Sequence, residues 1–183
     1  MEKLIKLHQY KILIILVFTF SPISAQQQAD SVGFFIKIGE PSPDFTLTFP
    51  NSDSTSFSEL KGKVIMLQFT ASWCSVCRQE MPHIENDIVQ DLKCDDLVVI
   101  GVVMDEPAEK VNKFAEDMKI TYPLALDPGA EIFELFADKK SGVTRNVIID
   151  KKGNIAHLTR LFNLKEFSEM VEKIKVLLND DGG

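Results

Sequence analysis

The sequence predicts an α/β fold in which helices flank a central mixed β-sheet. Residues 64–69 and 97–103 are nearly continuous apolar runs, which is typical of strands that are buried on both faces. A helical pattern lies between these runs, so they are expected to form a right-handed βαβ unit with parallel strands. Residues 143–149 and 154–159 flank a turn at residues 150–153 and are expected to pair antiparallel, which makes the sheet mixed.

Three longer helices are expected to cover this sheet. The first, over residues 74–92, contains Pro82 and is expected to kink there. The second begins near Pro107 and repeats apolar residues at helical spacing. The third carries an apolar stripe along residues 164–178, so each helix has one face to bury.

Two further features extend the central pattern. Residues 45–49 alternate apolar and polar side chains, and the turn residues at 50–53 lead to a second short strand at 54–57. These segments predict an N-terminal β-hairpin. A strand at residues 122–126 and a short helix at residues 131–136 are expected as an insertion before the last two strands.

The N-terminus has the order of a secretory signal peptide. Three lysines lie within the first 11 residues, before an apolar run of nine residues, 12–20. A Ser-Pro break and Ala25 follow this run. This order predicts that residues 1–25 are cleaved. The alternative is a membrane anchor, but the run has about half of the ~20 residues that a helix needs to span a bilayer.

These boundaries define one exported domain. Residues 26–33 are polar and small and are expected to form a mobile leader. Residues 34–179 are expected to form the folded domain, and residues 180–183 a disordered tail. The protein is expected to be a monomer with no stable membrane span after cleavage, located in the periplasm if the source is a Gram-negative bacterium.

The net charge of the predicted mature chain bears on which class of molecule it binds. The predicted cleavage removes three lysines and one glutamate, which leaves 17 basic and 26 acidic residues and a formal charge of −9. An acidic, unclustered surface argues against nucleic acid as a partner.

The cysteine spacing indicates reactive chemistry. Exported proteins often carry structural disulfides, but a bridge between Cys74 and Cys77 would close almost no loop and so add little chain-entropy stabilisation. This pair is therefore interpreted as redox-active. Cys94 is left over near a predicted helix end and is expected to be a free thiol with a packing role.

The position of the pair supports this interpretation. Cys74 is expected at the first turn of a helix that follows a buried strand, where unpaired N–H groups and the helix dipole favour a thiolate. Cys77 lies one turn further on and can resolve a mixed disulfide. A zinc half-site is the alternative, but His83 and His157 are isolated and no further ligands are suitably spaced. No metal or other cofactor is expected.

Residues 69–82, Phe-Thr-Ala-Ser-Trp-Cys-Ser-Val-Cys-Arg-Gln-Glu-Met-Pro, resemble the active-site stretch of extracytoplasmic thioredoxin-fold proteins of the TlpA/ResA type, which are related to the AhpC/TSA redoxins. Residues 39–47 and 149–153 extend the resemblance over most of the predicted mature chain. It implies a thioredoxin-like fold with an N-terminal hairpin extension and a strand-helix insertion.

The resemblance also implies an activity and two further site residues. The activity is dithiol–disulfide exchange with exported protein disulfides or dithiols, with reduction of the partner as the expected direction and a separate, unidentified redox donor. Trp73 would shape the active-site rim, the alternative being plain packing. Glu80 would accept a proton from the cysteines, the alternative being a solvated residue on the helix face.

Two positions depart from the family pattern. Gln68 replaces the buried acid of cytoplasmic thioredoxins, so it is not expected to relay a proton. Thr144 replaces the family's cis-proline, so a cis Val143–Thr144 bond is expected to face Cys74, with Val143, Thr144 and Arg145 on the active-site rim.

Two rival functions use the same cysteines. Arg145 falls where peroxiredoxins place an arginine that steadies the thiolate, so a peroxidase with Cys74 as the peroxidatic and Cys77 as the resolving residue is one alternative. The Pro-x-x-x-Thr-x-x-Cys motif of peroxiredoxins is missing, however. The other alternative is a copper carrier that uses both thiolates, although the longer spacing and downstream histidine of such carriers are not clearly present.

Overall fold

A computed structural model of the chain describes residue 30 and residues 32–180. The predicted signal peptide, most of the predicted leader and the last three residues of the predicted tail lie outside the described residues. Within the described part, no helix combines the length and the apolar character needed to cross a membrane.

The described residues form one mixed sheet of seven strands in the order β2-β1-β5-β4-β3-β6-β7. The strands are β1 Thr46–Thr48, β2 Ser54–Ser56, β3 Val64–Thr70, β4 Leu97–Met104, β5 Leu124–Asp127, β6 Arg145–Ile149 and β7 Ile155–Arg160. β3, β4 and β5 are parallel, whereas β6 pairs antiparallel with both β3 and β7. The predicted α/β class and mixed sheet are confirmed.

Within the described residues, five α-helices accompany this sheet: α1 Phe57–Leu60, α2 Ser75–His83, α3 Ala108–Met118, α4 Phe133–Phe136 and α5 Leu164–Asn179. The predicted helix over residues 74–92 changes type along its length, because α2 continues as a π-helical segment, Ile84–Gln90. Pro82 lies inside α2. It has no backbone N–H, so the regular i to i−4 ladder is interrupted just before the π-helical segment begins.

The N-terminal hairpin is confirmed, and it is also part of the main sheet. Thr48 of β1 lies opposite Leu126 of the inserted strand β5, in an antiparallel pairing. The turn is stabilised by a hydrogen bond of 2.7 Å from Asn51 Nδ2 to Asp53 Oδ2. The hairpin therefore extends the sheet beyond β5.

Alternation along the strands separates two apolar clusters. Ile149 of β6 belongs to the cluster beneath the hairpin and α4, whereas Ile148 belongs to the cluster beneath α2, α3 and α5. Because successive strand residues point to opposite faces, Thr144 and Asn146 share the face of α2. Arg145 points to the other face. This parity decides which side chains reach the cysteines.

Ordered contacts begin before residue 34, the predicted start of the domain. Asp30 Oδ1 accepts hydrogen bonds from the backbone N–H groups of Val32 and Phe34. The backbone oxygen of Val32 accepts a hydrogen bond of 2.6 Å from Arg145 Nη2, and Phe34 forms an isolated antiparallel bridge with Ala137. Part of the predicted leader is thus tied to the domain.

Candidate active site

Cys74 and Cys77 form a disulfide at the start of α2, with their Cα atoms 5.3 Å apart. Cys74 is the N-cap residue, and its Sγ accepts a hydrogen bond of 3.1 Å from the backbone N–H of Cys77. Cys77 is fully buried, whereas Cys74 keeps 6% of its surface exposed. A partner thiol would therefore reach Cys74 first.

The polypeptide facing the disulfide is the segment at the start of β6. The expected cis bond between Val143 and Thr144 is confirmed. Thr144 Oγ1 lies 2.7 Å from Cys77 Sγ and 3.4 Å from Cys74 Sγ, and Val143 packs against the small cluster that the two cysteines form with Ala71. Thr144 is fully buried, so it lies behind the disulfide and does not belong to the accessible rim. Trp73, the residue before Cys74, is 62% exposed.

Arg145 does not lie on the active-site rim, and that expectation is wrong. The residue is fully buried, and its guanidinium donates hydrogen bonds to the backbone oxygens of Gly142 and Val32. It also lies 4.5 Å from the ring centroid of Phe34, within the apolar cluster on the far face of the sheet. The physical reason is strand parity, because the neighbour of a residue that faces the disulfide must face away from it.

Glu80, three residues after Cys77 in α2, is buried and carries a perturbed carboxyl group. Its Oε2 accepts a hydrogen bond of 2.9 Å from Gln68 Nε2, and its Oε1 accepts one of 2.7 Å from Asn146 Nδ2. Burial raises the pKa of Glu80 to about 7, although these two hydrogen bonds act in the opposite direction. A carboxyl group with this pKa can both accept and donate a proton near neutral pH.

Two side-chain contacts join α2 to β6 and the residue before it. Thr144 Oγ1 contacts Cys77 Sγ. Glu80, three residues after Cys77, accepts a hydrogen bond from Asn146, two residues after Thr144. Helix residues three apart are neighbours on one face. The Glu80 side chain therefore lies on the Cys77 side of α2, in the same buried layer.

Polar residues of the strands support Glu80, although the sequence alone does not assign them to the site. Gln68 Oε1 accepts a hydrogen bond of 2.9 Å from the Tyr122 hydroxyl, and Asn146 Nδ2 also donates to Thr159 Oγ1. Gln68 and Asn146 are fully buried. Gln68 has a signal in the sequence, a single amide within the otherwise apolar run 64–69, because a buried amide needs a hydrogen-bonding partner. Asn146 follows Thr144 and Arg145 and has no such signal.

A second set of contacts fixes the loop that leads into the site. The Ser72 N–H and hydroxyl both donate to the Glu106 carboxylate, at 2.8 and 2.7 Å. Arg78 Nε donates to the Ser72 backbone oxygen at 2.8 Å, and Lys110 forms an ion pair with Glu106. Burial alone would raise the pKa of Glu106, but the hydrogen bonds from Lys110 and Ser72 outweigh it and lower the pKa. All of these contacts hold the chain two residues before Cys74.

Cys94 is remote from this site. It is a free thiol, as expected, but it is exposed, so the expected packing role is wrong. Cys94 precedes Leu97, which pairs with Val64 at the start of β3, whereas Cys74 follows the end of β3. A strand of seven residues spans on the order of 20 Å. Cys94 therefore lies at the opposite end of the sheet.

The fold and the site together define a class of protein. A mixed α/β sheet with a Cys-x-x-Cys disulfide at the N-terminus of the helix after a central strand is the arrangement of a thioredoxin-like thiol–disulfide oxidoreductase. A model of the AhpC/TSA family matches residues 38–158, and the chain belongs to this family.

Individual relatives agree with this class. The chain is 27% identical to the thiol-disulfide oxidoreductase ResA of Geobacillus kaustophilus over 141 residues, covering 76% of this chain and 79% of the relative. It is 34% identical to the thioredoxin-like protein YneN of Bacillus subtilis over 119 residues, 63% and 69% of the two chains. A solution structure of a provisionally assigned protein disulfide isomerase from Bacteroides thetaiotaomicron is 50% identical with a TM-score of 0.79, covering 82% of this chain and 96% of that one.

Proposed function

We propose that the protein is exported and exchanges its Cys74–Cys77 pair with disulfides or dithiols of exported partner proteins, acting as a reductant. The observation that carries this proposal is the disulfide itself. Cys74 Sγ accepts the Cys77 N–H at the start of α2 and is the more exposed of the two cysteines. This environment stabilises a thiolate on the sulfur that a partner reaches first.

In the reducing direction, the Cys74 thiolate attacks a partner disulfide. A mixed disulfide forms, and one partner sulfur leaves as a thiolate. Cys77 then loses its proton to the Glu80 carboxylate and attacks Cys74 Sγ, which releases the second partner thiolate. Two electrons pass to the partner, and the protein is left with its Cys74–Cys77 disulfide. A separate redox donor must return it to the dithiol.

Export is supported by the signal-like order of residues 1–25 and by the resemblance to the extracytoplasmic TlpA/ResA type. N-terminal sequencing of the protein purified from its source tests this part. A chain that begins at Gln26 is the expected result, and an intact Met1 would contradict cleavage. Periplasmic location is proposed for a Gram-negative source.

Reduction of insulin by the residue 26–183 chain, with dithiothreitol as the donor, tests the exchange. Cys74→Ser should abolish the acceleration, whereas Cys94→Ser, at the far end of the sheet, should leave the rate within about twofold. Cys77→Ser should form stable mixed disulfides through Cys74, because the resolving thiol is missing.

Mass spectrometry of adducts formed by Cys77→Ser with protein extracts identifies the linked residue. Adducts through Cys94, or wild-type activity of Cys74→Ser, would overturn the assignment of Cys74 as nucleophile. Loss of activity in Cys94→Ser would overturn the two-cysteine mechanism.

A further inference from the structure

Thr144 brings a hydroxyl group into contact with both redox sulfurs. Its Oγ1 lies 2.7 Å from Cys77 Sγ and 3.4 Å from Cys74 Sγ. Among residues 30 and 32–180, it is the side-chain oxygen within hydrogen-bonding distance of both sulfurs. The residue is fully buried, so water does not compete strongly for this hydroxyl. Proline, which the family places here, has no hydroxyl to donate.

The strength of this contact depends on the charge of the sulfur. A hydrogen bond to an ionised acceptor is roughly twice as strong as one between neutral groups. A disulfide sulfur or a thiol is a weak acceptor, whereas a thiolate is a strong one. The hydroxyl of Thr144 has one proton and can rotate. It can therefore donate to whichever of the two sulfurs carries the negative charge.

We propose that Thr144 is a catalytic hydrogen-bond donor that stabilises the Cys77 thiolate when the disulfide opens and the Cys74 thiolate in the dithiol form. This inference rests on the proposed function and assigns a role to one residue of the same site. In the opening step, an incoming thiolate forms a bond to Cys74 Sγ. The Cys74–Cys77 bond breaks, and its electron pair goes to Cys77 Sγ. The Thr144 hydroxyl donates to that sulfur until a proton returns to it from the Glu80 carboxyl group.

Two consequences follow for the redox pair. Opening the disulfide should be faster, because the leaving Cys77 thiolate is stabilised in the transition state. The reduced protein should also be favoured at equilibrium, because the hydroxyl stabilises its thiolates more than it stabilises the disulfide. Thr144 thus moves the pair towards easier reduction.

A matched pair of variants tests this role. Thr144→Val keeps a β-branched side chain and removes the hydroxyl, whereas Thr144→Ser keeps the hydroxyl and removes a methyl group. The equilibrium constant for reduction by glutathione and the rate of disulfide opening by dithiothreitol are measured for each variant in the residue 26–183 chain. Thr144→Val should lower both about tenfold, which corresponds to a potential about 30 mV more negative. Thr144→Ser should stay within about threefold of wild type.

The pH dependence of Cys74 alkylation by iodoacetamide is the second readout. Thr144→Val should shift the apparent thiol pKa upward, whereas Thr144→Ser should not. Wild-type values for Thr144→Val, or an equal effect of both variants, would overturn the proposal. If Thr144→Val does not fold, Thr144→Ala replaces it with the same expectation. These small-molecule assays do not depend on protein partners. Failure of insulin reduction would therefore contradict the proposed function, whereas the role of Thr144 would still be decided by the glutathione, dithiothreitol and iodoacetamide measurements.

Discussion

Glu80 titrates in a different range from an exposed glutamate because its carboxyl group is buried. Burial raises its pKa from 4.5 to about 7. The folded protein therefore binds this proton more tightly than the unfolded chain does. The contribution of Glu80 to stability is fully present below about pH 4.5 and is lost as the pH rises through about 7. A shift of this size corresponds to on the order of 3 kcal/mol.

Glu80→Gln should remove this pH dependence, since an amide does not titrate. We expect the unfolding free energy of the oxidised wild-type protein to fall relative to that of Glu80→Gln by up to about 3 kcal/mol between pH 4.5 and 8. Urea unfolding at several pH values measures the difference. Glu109→Gln, at an exposed position of α3, is the control and should follow wild type. Parallel pH profiles of wild type and Glu80→Gln would contradict a raised pKa.

The contact between Ser72 and Glu106 acts at the scale of elements, because it joins the loop before α2 to the loop before α3. Glu106 accepts two hydrogen bonds from Ser72. Hydrogen bonds to a charged group contribute about 1.5–3 kcal/mol. The loop that carries Trp73 and Cys74 therefore depends on a carboxylate from a distant part of the chain.

Glu106→Gln should loosen this loop, because an amide has only one oxygen to accept the two Ser72 donors. We expect a loss of about 1–3 kcal/mol in unfolding free energy and a several-fold slower reduction of insulin. Trp73 is the single tryptophan of the chain, so its fluorescence anisotropy reports the loop directly and should decrease. Glu109→Gln removes the same charge from an exposed position and should leave the anisotropy unchanged. An unaltered anisotropy in Glu106→Gln would show that the carboxylate does not hold the loop.

Local patterns predicted most elements, since apolar runs and helical spacing depend on neighbours in the sequence. The two buried strands of the βαβ unit and the cysteines at the start of a helix follow from such patterns. The contact of Glu106 with Ser72 joins residues 34 positions apart and leaves no local signal. The pairing of β1 with β5 is non-local in the same way.

The position of Arg145 was predictable in part. The family resemblance implies that both Thr144 and Arg145 lie at the active site, although adjacent residues of a strand point to opposite faces. Assigning Thr144 to the disulfide already required Arg145 to point away. The alternation does not identify the hydrogen-bond acceptors of the Arg145 guanidinium. One of them, the backbone oxygen of Val32, belongs to a segment more than 100 residues earlier in the chain.

The sheet divides the molecule into a redox face and a structural face. On the redox face lie the disulfide, Glu80 and its buried amide partners. On the structural face, the Arg145 guanidinium ties the segment around Val32 to the start of β6. Burial, followed by the charge of Arg160, lowers the pKa of Arg145 to about 10, so Arg145 remains positively charged at neutral pH.

Arg145→Ala should therefore reduce stability without changing thiol chemistry. The substitution removes the buried guanidinium that donates to the backbone oxygens of Gly142 and Val32, and we expect a loss of about 3 kcal/mol in unfolding free energy. The rate and pH profile of Cys74 alkylation should stay within about twofold of wild type, since the guanidinium lies on the other face of the sheet.

Arg160→Ala is the matched control. Arg160 lies opposite Arg145 in the pairing of β6 with β7, carries the same charge and is exposed. It should cost less than about 1 kcal/mol, as is usual for surface substitutions. Urea unfolding and iodoacetamide kinetics measure both quantities on the same samples. An upward shift of the Cys74 pKa in Arg145→Ala, absent in Arg160→Ala, would mean that the buried charge acts on the thiolate through the sheet. That result would favour the peroxidase interpretation, because a steadying arginine is the feature that this interpretation requires.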